Sequence, residues 1–458
     1  MKKQNIKHPR IALQIEKNRA HGRALLEGIA DYALERTDWR LELVDPEILQ
    51  DVSSVRKFDG LIVRVMDDAT ADVLRKSGRP VVDTYGRRDD NPLPSIRLDD
   101  AAIAEVAFTC FAEHHYHAFA YCGFPGVRFS DARGKAFRAL AEKQGASVSL
   151  YGGKGPVTDR FFRDEKTDVP DAAALSAWLK SLPKPIALFC CTDLRAVQVM
   201  KICSDLGLDV PKDVAVLGVD NDVLLCTFTN PSLSSVLTDP FSIGHRAAEM
   251  LDEQMRSGAR NGKRSVARRG MSCLWAPKKV VERMSTDAYP FKTPWLGDAV
   301  RYIRRNLAKG VTAKDVDDFI GYSHPKVNQV FNEELGHTVK KEILLQRTRA
   351  ACSLLRETDR TIGEIALRCG YQRVQYFVSS FAEEFKMTPE AWRKKHFFSK
   401  SVTVSSRSGI DKNRIRGYTS WKNGSGVFIC NRSWRGGDDA GHLHCAWRLC
   451  RNPFLQGA

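Results

Sequence analysis

Six residues carry the first chemical signal in this chain of 458 residues. Each falls just past a short apolar run that reads as a β-strand. Glu16 follows "RIALQ", Phe129 and Arg133 follow "AYCGFP", Asp193 and Arg195 follow "ALFCC", and Asp220 follows "VAVLGV". Carboxylates and arginines gathered on one rim suit a neutral polyhydroxyl ligand, because ionised groups make short, charge-assisted hydrogen bonds to hydroxyls. Phe129 adds a ring that can lie on the apolar face of a sugar. A plainer reading exists for each residue taken alone; Asp193, for example, could simply N-cap the next helix. Their common position on one strand-end edge favours a ligand site. A second signal lies far downstream, in "IALRCGYQRVQYFVSSFAEEFKMTPEAWR". There Gln372, Arg373, Gln375 and Ser379 interrupt an apolar skeleton of helical period. Such a helix can bind a partner, fill a core or read bases.

The elements that must position the first group alternate regularly. The strand "RIALQIE" is followed by the amphipathic "RALLEGIADYALER", then by "RLELVD", "FDGLIVRV" and "RPVVDTY". A second series begins near Ala101 and runs through "HAFAYCG", "PIALFCCTD" and "DVAVLGVDND". This alternation predicts parallel βαβ units. Two successive α/β lobes form a clamshell, with its ligand in the crevice at the carboxyl ends of the strands.

The second group sits in a repeat. "VDDFIGY" at Val316–Tyr322 matches "IALRCGY" at Ile365–Tyr371, and "FNEELGHTV" at Phe331–Val339 matches "FAEEFKMTP" at Phe381–Pro389. Each unit reads as a short helix, a Gly-aromatic turn at Gly321 or Gly370, and a second helix, which is helix-turn-helix geometry. Ser323 is expected to N-cap the second helix of the first unit. Val327, Val330 and Phe331, and then Phe377, Phe381 and Phe385, are expected to face inward. A connecting helix over about 338–356 would be about 28 Å long. That is near one turn of DNA, so both second helices could enter successive major grooves.

Charge agrees with this division. The net charge of +16 is concentrated late in the chain: residues 1–289 carry +3, residues 290–396 carry +6 and residues 397–458 carry +7. A basic C-terminal third suits a polyanionic partner. No run of about 18 apolar residues suggests a membrane span, and "MKKQNIKHPRIALQIE" lacks the apolar stretch of a secretory signal. The cytoplasm is therefore the expected compartment, where the 12 scattered cysteines, with no CxxC, read as small buried hydrophobes. There is no P-loop, strand-linked GxGxxG, GxSxG or HExxH, so neither an enzyme nor a cofactor is expected. "HHYH" at His114–His117 lies late in a predicted helix, and "HLHCAWRLC" has no zinc spacing, so no metal is expected either.

At "CTDLRA", "VAVLGVDND" and "TNPSLSSVLTDPFSIGHRAAEML" the chain resembles the effector-binding core of LacI/GalR-type repressors and the periplasmic sugar-binding proteins. That resemblance implies that Asp220 holds sugar hydroxyls. LacI-type chains carry a DNA-binding headpiece ahead of this core. Here the first strand begins near Arg10, so any DNA reader is expected elsewhere. The helical segment resembles the AraC/XylS family at Ile365, Ala366, Gly370, Tyr371, Tyr376, Phe377, Phe381, Thr388, Pro389, Trp392 and Arg393. Ala382 and Lys386 depart from the family pattern. In the first unit Asp317 stands at an Ala-like packing position, which implies a weaker unit.

Carried over from that family, the base-reading positions are Pro325, Asn328 and Gln329, then Val374, Gln375 and Ser379. Asn and Gln can pair bidentately with adenine, whereas Pro325 offers apolar contact only. Lys326, Arg347, Arg349, Arg373, Lys394 and Lys395 are phosphate-contact candidates. The resemblances together imply an α/β two-lobed periplasmic-binding-protein-like (type I) sensor over residues 8–284, a linker over 285–295, an all-α AraC-type double helix-turn-helix domain over 296–396, and a basic, disordered or aberrant tail over 397–458. The combination resembles regulators of pentose operons. It implies a dimeric activator whose partners are duplex operator DNA, a sugar effector (xylose or similar), a second copy of the chain and RNA polymerase. The alternatives are a repressor answering another pentose or hexose, and an α/β enzyme fused to a DNA reader.

Overall fold

The computed structural model describes residues 8–86, 92–153, 171–261 and 272–396, with short strand segments at 403–405, 422–423 and 426–427. Elements are labelled in chain order. The first lobe is built on β1 (Arg10–Gln14), β2 (Arg40–Leu43), β3 (Gly60–Val63), β4 (Val81–Asp83) and β5 (Ser95–Leu98). The second is built on β6 (Phe119–Cys122), β7 (Val148–Leu150), β8 (Ile186–Cys190), β9 (Val214–Val219) and β10 (Ser234–Leu237). Helices α1 (Ala20–Arg36), α2 (Val52–Val55), α3 (Asp68–Ser77), α4 (Asp100–Glu113), α5 (Arg128–Lys143), α6 (Ala172–Ser181), α7 (Asp193–Asp205), α8 (Val223–Phe228) and α9 (Pro240–Asn261) connect them. The central strands "GLIV", "FAYC", "IALFC" and "VAVLGV" are buried at every residue. That is what helices on both faces of a parallel sheet require, and it explains runs that are apolar throughout rather than alternating.

The lobes are not strictly successive, which corrects the sequence expectation. After β10 the chain returns to the first lobe as α9 and β11 (Ser272–Trp275), which pairs parallel to β5. It then crosses back as β12 (Lys279–Val281), antiparallel to β10. The first sheet runs β11-β5-β4-β3-β1-β2, and β13 (Thr403–Ser405) lies antiparallel along the outer edge of β11. The second runs β12-β10-β9-β8-β6-β7. Helix α9 is held to α1 by backbone contact at two glycines. A Cβ on Gly28 would lie 1.9 Å from the Phe241 carbonyl oxygen, and one on Gly244 would lie 2.0 Å from that of Leu25.

The helical domain contains α10 (Pro294–Asn306), α11 (Ala313–Ile320), α12 (His324–Leu335), α13 (Val339–Glu357), α14 (Ile362–Arg368), α15 (Val374–Phe385) and α16 (Pro389–His396). It has two cores, one around Leu296, Ile303, Val316, Val327 and Phe331 and one around Leu355, Ile365, Phe377, Phe381 and Trp392. The repeat extends to the caps. Thr312 with Asp315, and Thr361 with Glu364, form a capping box at the start of each unit. Gly321 and Gly370 both turn through left-handed backbone, at φ 78° and 79°. Ser323 occupies the N-cap of α12, yet its side chain makes no capping bond. The segment expected to link the domains is packed: Ser285 and Thr286 are buried, and Tyr289 stacks on Phe291. Most of the tail, with "HLHCAWRLC", lies outside the described residues.

Candidate effector cleft and DNA-reading face

Two walls face each other at the strand ends. On the first lobe, Glu16 follows β1 and pairs with Arg64, which follows β3. The Arg64 guanidinium lies 4.6 Å from the ring centre of Tyr85. On the second lobe, α5 supplies Arg128, Phe129 and Arg133 from its first turns. Arg133 Nε donates to Asp100 Oδ1 at 2.9 Å, and a terminal nitrogen donates to the Cys191 carbonyl at 2.5 Å. Arg128 pairs with the other Asp100 oxygen at 2.9 Å, and the Arg133 guanidinium lies 4.9 Å from the Phe129 ring centre. Burial opposes the Arg133 charge, but Asp100 and Asp220 outweigh it and hold its pKa above the ordinary value.

Asp220 and Asn221 turn the chain at the end of β9 with φ of 107° and 52°. Two successive non-glycine residues there store strain of order 1–3 kcal/mol each, a condition that collects at functional sites. The surroundings hold them. Asp220 N–H donates to the Val236 carbonyl at 3.0 Å. Asn221 N–H donates to Ser235 Oγ at 2.9 Å, and its side-chain oxygen accepts from Arg283 at 2.8 Å.

Two residues of this cleft, Arg64 and His21, had no part in the sequence expectation. His21, at the start of α1, places Nδ1 3.8 Å from Asp220 Oδ1, across the two lobes. That nitrogen is buried and has no hydrogen-bond partner among the described residues. Burial lowers the His21 pKa; Asp220 and Glu16 oppose the shift, while Arg64 and Arg133 reinforce it. The neutral ring carries one donor and one acceptor, which suits a hydroxyl group. Its sequence signal was the glycine beside it, because a Cβ on Gly22 would lie 1.7 Å from the Glu16 carbonyl oxygen.

The six expected residues thus occupy two layers. Glu16, Phe129, Arg133 and Asp220 converge with His21 and Arg64. Asp193 and Arg195 are set behind them by their partners rather than by burial, being 2 % and 1 % exposed against 3 % for Arg133. Asp193 accepts from Ser235 Oγ at 2.5 Å and from Asp222 N–H at 2.8 Å. Burial, followed by Asp220, pushes its carboxyl well above the usual range. Gly218 makes room for it, since a Cβ there would sit 2.2 Å from Asp193 Oδ1. Thr192, rather than Asp193, caps α7. Arg195 grips Asp171 with two bonds, of 3.1 and 2.7 Å.

In the helical domain, α15 presents Val374, Gln375 and Ser379 to solvent, with Arg373 at its N-cap. Tyr376, 63 % exposed, stands among them. In α12, Pro325, Lys326 and Gln329 are exposed, and Gln329 donates to Glu333 at 2.7 Å. Asn328 is engaged elsewhere: its Oδ1 accepts from Val339 N–H at 3.1 Å, and its nitrogen meets His324 at 2.7 Å. Asp317 pairs with His324 at 2.7 Å. Arg347 donates to the Val311 carbonyl at 3.1 Å and lies 5.3 Å from the Tyr371 ring centre, which joins the two units internally.

"HHYH" lies where the two domains meet. Cys110, His114 and Glu282 bring ligand-type atoms within 4.8 Å of one another. A metal ion does not fit, because the Arg304 guanidinium already lies on both His114 Nε2 and Glu282. Burial also raises the Cys110 pKa well above that of an ordinary thiol, which keeps it protonated.

Comparison with known proteins matches residues 108–286 to a periplasmic binding protein-like domain and residues 318–395 to a helix-turn-helix domain. The xylose operon regulatory protein of Escherichia coli K12 is 28% identical over 397 residues, covering 84% of this chain and 97% of its own length. That of Haemophilus influenzae is 29% identical over 394 residues, covering 84% and 98%. The solved structure of the xylose-binding transcription activator XylR superposes with a TM-score of 0.52 at 28% identity, covering 86% of this chain and 99% of its own.

Proposed function

We propose that this chain, a sugar-responsive DNA-binding transcriptional regulator related along its sensor and its reader to the xylose operon regulatory proteins, takes xylose as its effector. The sugar lies between Glu16, His21 and Arg64 of one lobe and Phe129, Arg133 and Asp220 of the other. Asp193 and Arg195 support that wall from behind. The observation carrying this reading is the order of the two modules on one chain, shared with relatives over 84% of its length.

Binding works as follows. Carboxylate and guanidinium groups already oriented by ion pairs accept and donate to hydroxyls without reorganising. Phe129 covers an apolar sugar face. A sugar touching both walls favours the closed clamshell, and it can change DNA binding only by its difference in affinity for the two arrangements. On the DNA side, Gln375, Ser379, Val374 and Gln329 face bases beside Pro325, while Lys326 and Arg373 face phosphates. Asn328 contributes by fixing α12 against α13.

The sensor extends over 8–284 and the reader over 296–396, with 285–295 as the joint between them. The chain acts as a cytoplasmic homodimer that activates transcription through RNA polymerase. The exposed Val223, Leu224 and Phe228 of α8 are a candidate dimer face. In this reading it is not an enzyme, since the relatives that match over 84% of its length are transcriptional regulators. Calorimetric titration with a panel of pentoses and hexoses tests the reading. Xylose should bind tightest, and Arg133→Ala and Asp220→Ala should each weaken it by at least about tenfold, roughly the effect of one charged hydrogen bond. Tighter binding of a hexose, or unchanged affinity in both variants, would refute the effector or the site respectively.

A further inference from the structure

We propose that His114, at the end of α4, is the positioning residue through which occupancy of the cleft reaches the DNA-reading helices. The proposal rests on the sensor-and-reader reading above. Helix α4 is an unbroken run of 14 residues, about 21 Å long, and its two ends touch the two working parts of the molecule. At its start, Asp100 holds both Arg133 and Arg128 of the cleft wall at 2.9 Å. No other carboxylate is paired with these two arginines among the described residues, so a ligand that draws Arg133 forward also draws on α4.

At its far end, α4 grips the reader. His114 Nδ1–H donates to the Cys110 carbonyl at 2.8 Å, which leaves the lone pair on Nε2. Arg304 of α10 donates to that lone pair at 3.0 Å and also pairs with Glu282. The His114 ring stacks on Tyr289 at 5.0 Å, Tyr289 stacks on Phe291, and His115 lies 5.2 Å from Phe291. Tyr289 and Phe291 pack on the core of the first helix-turn-helix unit. Glu113, one residue earlier, is half-buried, and its leading charge partner is Arg349 of α13.

A hydrogen bond of this kind is directional and weakens steeply with small displacements. In a buried setting it exerts more force than it would in water. Close-packed helices shift between discrete arrangements rather than bending continuously. A movement of α4 at Asp100 is therefore delivered to Arg304 and to the reader. The "HHYH" run, which resembles a metal cluster in sequence, serves as this joint.

Reciprocal linkage tests the proposal. Xylose affinity is measured by calorimetry on the full chain, free and bound to a DNA duplex recovered by selection from random sequence. The unmodified protein should show affinities that differ by about fivefold or more between the two states. In His114→Ala the ratio should fall to about one, while xylose affinity off DNA stays within about twofold. His114→Gln, which keeps an acceptor for Arg304, should restore most of the ratio. If His114→Ala fails to fold, Arg304→Met removes the other half of the same bond and must give the same loss. A variant as strongly coupled as the unmodified protein would overturn this role alone. A ratio of one in the unmodified protein with every sugar tried would overturn the sensor reading, and this role with it.

Discussion

Alanine at Gly370 and alanine at Gly321 should have clearly different consequences, although the two glycines hold the same place in the repeat. Both have φ near 78°, so either substitution forces an L-residue into left-handed backbone at about 1 kcal/mol. At Gly321 that is the whole effect, because nothing lies within 4 Å of the new Cβ. At Gly370 the Cβ would sit 1.9 Å from the Leu307 carbonyl oxygen and 3.2 Å from the Gly310 Cα. Both obstacles are backbone, so the turn after α10 must move, at roughly 1–3 kcal/mol more. The expected losses are about 1 kcal/mol for Gly321→Ala and about 2–4 kcal/mol for Gly370→Ala. A chain of several domains need not unfold in one step. The suitable assay is therefore native-state hydrogen exchange at the amides of α11 and α14, which reports local opening. Operator affinity should follow the same order, because the displaced turn sets one unit against the other. Equal protection loss in the two variants, or a larger loss for Gly321→Ala, would refute the argument.

Acid should weaken the joint between the domains. Burial, opposed mainly by Glu342, lowers the His115 pKa from 6.5 to about 4. The unfolded chain therefore takes up this proton more readily than the folded one. The contribution is complete above pH 6.5 and is lost as pH falls toward 4. At about 1.4 kcal/mol per unit it amounts to about 3 kcal/mol. Urea midpoints between pH 7 and 4.5 should fall less steeply in His115→Asn, a residue that tolerates the φ of 60° found here; an unchanged slope would count against it. Gln375→Ala should lose roughly 1–3 kcal/mol of operator affinity and relax one base position. Lys326→Ala should weaken all sequences alike and reduce the salt slope by about one. Selection and salt titration would separate them, and the reverse pattern would exchange the two roles. His21→Ala should weaken xylose binding by about tenfold, the scale of one lost buried hydrogen bond; calorimetry showing unchanged affinity would remove His21 from the site.

The helix-turn-helix pair was legible in detail because its signals are local. The apolar period and the Gly-aromatic turns each act within a few residues. The same holds for the ends of β1 and β9, which precede Glu16 and Asp220, whereas Phe129 and Arg133 stand in the first turns of α5. The layering of the cleft was not legible. Asp193 and Arg195 follow their strand as Asp220 follows its own, and only the packing of Ser235, Gly218 and Asp171 against them turns them inward.

By itself the sequence determined which elements form, which faces are apolar and where polar groups crowd strand ends, since backbone geometry and side-chain periodicity are properties of neighbouring residues. The tertiary structure alone decided that α9 returns to the first lobe, that His21 reaches Asp220, and that α4 joins Arg133 to Arg304. Those pairings depend on how distant, already formed surfaces close-pack. Many chain paths satisfy the same local pattern, and mutual fit selects one of them.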